Sequence, residues 1–396
     1  MRKWFILLLL LGCGTFRVYA QDAALNGTVK EYNDDGKVKS EKTYHNGTLN
    51  GPFREYYPNG NLLSVGSYRQ GQLQGAYKSY YEDGSVYFER SYIGGQLHGT
   101  SREYYENEVP KSVENYVYDV LNGFNQYFYP NGNLKMAMNF KQGKLNGISR
   151  EYNEDGTLKN EINYDDDHID GVSKEYAADG SLYAIWNYKL DQKDGLSKTF
   201  YNNGQLEWEM NFKNGNLQGL NKRFSRDGKL LVEAQYKDNQ FNGIVREFYP
   251  NSNLKSECNY ADGKKDGVCR QFRDDGKPWL EWSYKNDLKD GVSREYAPQG
   301  YLWMTVNFKG DVKNGEMKEF YDNGALKQQW NIENGMQNGA SKSYYKTSEV
   351  MTEEVYHNGR LDGTVRLYNK NGNLAYIDTY QEGMRTDRQS PKAPSQ

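Results

Sequence analysis

The chain is short of the residues that most often carry protein chemistry. It holds three cysteines and four histidines in 396 residues. His45, His98, His168 and His357 are scattered, and none has metal-ligand spacing to a cysteine or an acid. No nucleophile elbow, phosphate loop or Cys/His pairing is present. The chain is therefore not expected to be an enzyme, and no catalytic, metal or cofactor-binding residue is expected. Apolar residues reach only 36%, mean hydropathy is −0.99, and nothing beyond residue 11 is apolar enough for a membrane-spanning helix. The net charge of −3 is spread in mixed sign and offers nucleic acid no electrostatic footing.

What is abundant is tyrosine (36), phenylalanine (15) and glycine (41). Disordered chains are poor in aromatics, so this polarity with this much tyrosine points to thin, solvent-exposed order. A tyrosine suits a one-layer sheet, where its ring is half covered and its hydroxyl stays wet.

Residues 1–20 form a targeting segment. Arg2 and Lys3 precede an apolar run, Trp4 to Leu11, that is too short to span a bilayer. Two processing sites compete: cleavage after Ala20, and lipidation at Cys13 within Leu10-Leu11-Gly12-Cys13. Either route implies an extracytoplasmic protein: periplasmic, on the outer membrane surface, or secreted. Losing residues 1–20 removes Arg2, Lys3 and Arg17 and no acid, which takes the charge from −3 to −6.

Self-similarity decides the architecture. Glycine recurs at Gly27, Gly51, Gly75 and every twenty-fourth residue to Gly363, fifteen copies without an insertion. Counting this glycine as position 0, position +9 is Gly in twelve copies and follows Asn or Asp in most, as in Asn59-Gly60. Position +20 is Gly in nine and Asp or Asn in six. Asn-Gly is the strongest short hairpin signal and predicts a type I′ turn at +8/+9. Between the turns, +5 is aromatic in all fifteen copies and +17 in fourteen. Segments this short are strands. The fold expected is all-β: an elongated single-layer antiparallel meander, or solenoid, of fifteen 24-residue β-hairpin repeats, some thirty strands in all. The expected organisation is a 1–20 signal segment, a 21–26 lead-in, repeats over 27–386 and a disordered polar tail at 387–396.

If both turns hold two residues, one face collects +11, +13, +15, +17 and +22, and the other +3, +5, +12, +14 and +16. Position +3 is Lys or Arg in fourteen copies and would lie opposite +14, Glu in eight, giving cross-strand ion pairs such as Arg246/Glu257 and Arg270/Glu281. The aromatic at +5 falls on this charged face, where it fits poorly unless a bulge turns it. Cys258 and Cys269 would be diagonal neighbours, ~7–8 Å apart and beyond easy disulfide reach. Asp165 to Asp167 with Asp170 read as a plain acidic turn rather than a calcium site.

One position breaks the monotony. At +15, nine consecutive middle copies are apolar, from Met138 to Trp330, while Lys42, Gly66, Arg90, Glu114, Glu354 and Asp378 flank them. The six tryptophans outside the targeting segment, Trp186, Trp208, Trp279, Trp282, Trp303 and Trp330, fall in this stretch and form a candidate binding platform.

The unit Gly51…Tyr56-Tyr57-Pro58-Asn59-Gly60-Asn61-Leu62…Tyr68-Arg69-Gln70-Gly71-Gln72-Leu73-Gln74-Gly75 resembles the MORN-repeat variant of bacteria. The resemblance covers residues 25 to about 384. It implies a scaffold that binds proteins or surfaces. The label YwqK-type antitoxin, often attached to this variant, implies toxin neutralisation. No catalytic residue comes with it. The copies at Gly99 and Gly339 are the most degenerate and are expected to be bends or fraying points. The function expected is a non-enzymatic, exported protein-binding scaffold; toxin neutralisation and envelope glycan binding are the alternatives. The partner expected is another protein, with a glycan or a membrane surface as alternatives and no nucleic acid.

Overall fold

The computed structural model describes residues 24–390; the targeting segment and Cys13 lie outside the described residues. The chain divides into two units, one ending at Lys144 and one beginning at Leu145. Each, taken by itself, is an antiparallel meander in which a strand pairs with its sequence neighbours. In the first unit Gly27–Tyr32, Val38–His45, Thr48–Tyr56 and Leu62–Arg69 follow one another in this way. In the second, Gly147–Tyr152, Leu158–Asp165 and Gly171–Tyr176 repeat the pattern. No helix occurs among the described residues.

The described residues hold 41 strands rather than thirty, because a bulge splits most strands that enter a repeat. Gln72–Leu73 and Gly75–Tyr80 are one such strand cut in two, and Thr48–Tyr56 is an uncut one. The bulge also explains the glycine at position 0. Tyr44 lies opposite Leu49 but Lys42 opposite Phe53, so the entering strand spends two extra residues there. Gly51 sits in the bulge at φ 128°, and a Cβ on it would stand 2.9 Å from the Thr43 Cγ2 atom. Positive φ calls for glycine at position 0, and at Gly51 lack of space does so as well.

A bulge leaves ladder groups unpaired, at about 1–3 kcal/mol each if they stay buried and unsatisfied. Two polar positions meet that demand. Asn at +16 donates to the carbonyl of +1 in the next repeat: Asn115 to Phe124, Asn259 to Val268 and Asn307 to Glu316. The side chain at +2 accepts from the N–H of +16: Asn125 from Asn115 (2.6 Å), Ser197 from Asn187 (3.1 Å) and Asn221 from Asn211 (2.6 Å). The same buried row holds Ser101, Ser149, Ser173, Ser293 and Ser341, but the hydroxyls of Ser149, Ser173, Ser293 and Ser341 have no hydrogen-bond partner among the described residues, so the bulge accounts for the polar residue only where the bond is made.

The two turns differ, which corrects the expected register. At +19/+20 both residues have positive φ, as in Asn46 (49°) and Gly47 (77°), so these are the type I′ turns. The Asn-Gly pair at +8/+9 instead belongs to a five-residue connection, in which the Tyr57 N–H donates to the Asn61 carbonyl and the Gly60 N–H to the Tyr57 carbonyl. Only +9 is left-handed there. Asn at +8 is selected by its side chain: Asn59 accepts from the Asn61 N–H (2.8 Å) and donates to the Glu82 carbonyl of the next connection (3.1 Å). The connection adds a second bulge, so +11 lies opposite +5, and +12 has no ladder partner and swings beside +4, as in Lys111–Glu103 and Lys159–Glu151.

Three further corrections concern particular segments. The repeats at Gly99 and Gly339 are neither bends nor breaks; Gly99 lies opposite Tyr116 and Gly339 opposite Tyr356, as in other copies. Cys258 and Cys269 are direct partners, with Cα atoms 4.0 Å apart, and form a disulfide. The two-residue bulge brings +15 level with +2 of the next strand, which a constant register could not foresee. The expected polar tail is ordered at its start, since Met384–Gln389 pairs with Leu374–Gln381.

Candidate interaction surface

The charged face carries a ladder of ion pairs wherever +14 is glutamate. Arg246 lies opposite Glu257 and Arg270 opposite Glu281, as the register predicts. Each arginine also reaches the glutamate of the preceding repeat: Arg246 to Glu233 (2.8 Å) and Glu257 (2.6 Å), Arg270 to Glu257 (3.5 Å) and Glu281 (2.8 Å), with Arg294 closing on Glu281. Burial works against charge on Glu281, but hydrogen bonds from Arg270 and Arg294 outweigh it and hold its carboxyl below the usual range. The aromatic at +5 does lie on this face. Tyr56, Tyr104 and Tyr368 each donate a hydrogen bond to the +14 glutamate of the preceding repeat.

The same face carries a row that the sequence pattern did not single out. In the second unit, position +1 is Ile148, Val172, Leu196, Leu220, Ile244, Val268 and Val292 in unbroken succession. Five of them (Ile148, Val172, Leu196, Leu220 and Val292) are 37–48% exposed. In the end repeats the position reverts to Thr28, Pro52, Ala76 and Thr100, or to Glu316, Ala340 and Thr364. Only the recurrence of apolar residues one place after the glycine could have found it.

On the opposite face the six tryptophans divide into two groups. Trp186, Trp282 and Trp330 occupy +15 in the middle row, and Trp208, Trp279 and Trp303 occupy +12 or +13 toward the five-residue connections. Two of the middle rings are packed from within. The Lys193 ammonium lies 3.2 Å from the centre of the Trp186 ring, and Trp186 Nε1 donates to Glu175. Lys289 lies 4.9 Å from Trp282. Burial lowers the pKa of Lys193. Arg223 stands over Trp208 at 5.2 Å, and Arg273 over Trp279 at 5.4 Å. Trp279, the most exposed of the six, borders a notch of about 300 Å³ with Tyr249, Lys255 and Phe272. A similar notch of about 310 Å³ opens three repeats earlier, beside Tyr183, Tyr201 and Arg226. Four of the six tryptophans thus lie under a cation, Trp186 and Trp282 in the middle row and Trp208 and Trp279 toward the connections.

Four of the charged +15 residues of the end repeats, Lys42, Glu114, Glu354 and Asp378, are satisfied locally, while Arg90 lies over the Phe88 ring with no hydrogen-bond partner among the described residues for its buried Nε. Lys42 pairs with Glu55 (3.0 Å), and Asp378 with Arg388 (2.7 Å). Glu114 accepts from Tyr116 and Tyr127, both at 2.8 Å. Burial, then the bond to Glu114, pushes the Tyr116 hydroxyl up to about 12. The acidic turn is also structural: Asp167 accepts from the Leu145 N–H and Asp170 from the Leu190 N–H. Among the described residues no group of three or more His, Cys, Asp or Glu side chains is arranged to hold a metal ion.

Comparison with known families agrees with the repeat. The family described as MORN repeat variant matches residues 25–46, 49–70, 73–93, 97–118, 123–142, 145–166, 169–190, 193–214, 217–238, 241–262, 265–286, 313–334 and 361–382. The unmatched repeats at Gly291 and Gly339 keep the same strand pairing. Among curated proteins none matches. Similar solved structures include a crystal structure of TcdB2-TccC3-Cdc42, 11% identical with a TM-score of 0.16, covering 89% of this chain and 22% of that one. Another is the Tc holotoxin pore of Photorhabdus luminescens, 12% identical with a TM-score of 0.15, covering 92% and 24%. The chain thus spans less than a quarter of the length of these two structures.

Proposed function

The chain belongs to the MORN repeat variant family, and on that premise we propose that it is a non-enzymatic binding protein that works outside the cytoplasm and holds a partner protein along its charged face. The observation that carries this is the row Ile148 to Val292. Single exposed aliphatic residues need no explanation, but seven aliphatic residues in register along one face, five of them exposed, do. Covering the exposed part of each would contribute about 1 kcal/mol. The adjoining ladder, in which six of the seven +3 cations from Arg150 to Arg294 are ion-paired, would supply a polar rim. The targeting pattern of residues 1–20 favours an extracytoplasmic partner over a cytoplasmic toxin.

The test is site-specific photocrosslinking in cells. Benzoylphenylalanine at position 196 should give a discrete adduct with one envelope protein, and benzoylphenylalanine at position 30 should not. The double substitution Val172→Thr and Leu220→Thr keeps β-propensity and should remove the adduct. Equal crosslinking from positions 196 and 30, or none from position 196, would reject the proposal.

A further inference from the structure

The repeats serve as internal controls for one another, and one of them differs in the chemistry around its tryptophan. Where +15 is tryptophan in the repeats at Gly171 and Gly267, +22 of the same repeat is lysine, and its ammonium lies over the indole: Lys193 on Trp186, Lys289 on Trp282. The phenylalanine at +17 of the next repeat flanks the same ammonium, Phe212 at 5.4 Å from Lys193 and Phe308 at 5.3 Å from Lys289. Position +22 is Leu or Ile in eight other copies and lysine in two more, Lys265 and Lys313, whose own repeats carry Cys258 and Val306 at +15.

The repeat at Gly315 has the tryptophan without its lysine. Trp330 stands at +15, but +22 is Gln337. Beside Trp330 the surface opens into a notch of about 430 Å³ lined by Met317, Ile332, Met336, Gln337 and Lys313. Lys313 belongs to the preceding repeat and does not replace the missing cation. Its counterpart in the Trp282 repeat, Lys265, lies over Tyr284 while Lys289 covers the tryptophan, so the two positions hold cations side by side. In the Gly315 repeat the ring corresponding to Tyr284 is Ile332.

We propose that the Trp330 notch is a binding site for an alkylammonium group, donated by a lysine side chain of a partner protein. The indole face attracts the charge, and Met317, Ile332 and Met336 receive the methylene stem, as the chain's own lysines are received in the other two repeats. This site is on the face opposite the aliphatic row and stands independently of it.

The experiment is an NMR titration of the full described chain with ¹⁵N-labelled tryptophan, the Trp330 indole signal being assigned by its loss in Trp330→Phe. The probes are n-butylammonium, the peptide acetyl-Ala-Lys-Ala-amide, and the same peptide with uncharged norleucine in place of lysine. Both cations should shift the Trp330 signal saturably, with millimolar affinity as expected for one exposed cation–π contact. Norleucine should not, and the covered Trp186 and Trp282 should stay still. A response to butylammonium without one to the lysine peptide would assign the site to free amines and overturn the protein partner. Gln337→Lys, a residue this position already carries in four repeats, should fill the notch from within and abolish the shift. Lys313→Leu should strengthen it by removing a like charge. No shift at Trp330, an equal shift with norleucine, or an undiminished shift in Gln337→Lys would overturn the proposal.

Discussion

At the scale of single residues, the left-handed position +9 shows what the repeat tolerates. All fifteen copies have positive φ there, and three without glycine: Glu108 at 62°, Ser252 at 69° and Ser348 at 78°. Left-handed geometry costs a non-glycine residue about 1–2 kcal/mol, part of which glycine returns through its freer unfolded chain. Ser348→Gly should therefore stabilise its hairpin by about 0.5–1 kcal/mol. Hydrogen exchange of the Ser348 and neighbouring amides would register this as slower opening, and faster opening would contradict it. Position +20 shows a second solution. All six non-glycine residues there use the side chain to accept the N–H of +22 in the preceding repeat, as Asp119 does from Leu97 and Asp311 from Lys289, both at 2.7 Å. Sequence made the glycine rows plain because φ > 0 narrows the choice to few residues. It did not make +2 and +16 plain, because serine and asparagine there look like ordinary surface until the bulge they satisfy is known.

At the scale of strands, the last one shows what happens when position 0 is not glycine. Twenty-four residues after Gly363 stands Asp387. The two-residue bulge gives way to a one-residue shift: Tyr380 lies opposite Arg385, and Asp378 opposite Arg388. The slip turns Arg388 onto the face where +2 would lie, and its guanidinium grips Asp378 with two bonds of 2.7 Å. A strand so charged is a poor template for further pairing and caps the array. The pair also makes the cap acid-sensitive. Hydrogen bonding to Arg388 lowers the Asp378 pKa in the folded chain, so the stabilisation is complete above the unfolded value, about 3.9, and is lost as pH falls through the folded one. Amides of Met384–Gln389 should lose protection below about pH 4 while those of Gly363–Tyr368 hold. Arg388→Gln should remove that pH dependence, and a variant that still titrates would show another group to be responsible. The register slip was not legible beforehand, since a constant period gives no warning of its own end.

At the scale of the whole molecule, the repeats share one turn chemistry but differ in what their faces carry. The 24-residue step, the all-β class and the +3/+14 ladder were legible because each is a recurrence. The functional differences lie in non-recurrent residues, such as Gln337 beside Trp330, and become visible only when cross-strand neighbours are known. An array of this kind is held by contacts between successive strands, so damage should stay local. Gly171 tests this well. It has φ 93°, and a Cβ there would meet Asn163 Nδ2 at 2.8 Å. Gly171→Ala should speed amide exchange in Leu158–Asp165 and Gly171–Tyr176, by roughly ten- to thirtyfold for a cost of about 1.5–2 kcal/mol. Exchange in Leu302–Lys309 and Leu326–Glu333, five repeats or more away, should be unchanged. A uniform loss across the second unit would mean that it folds as one cooperative body, and a partner gripping the Ile148 to Val292 row would then read the state of every repeat at once.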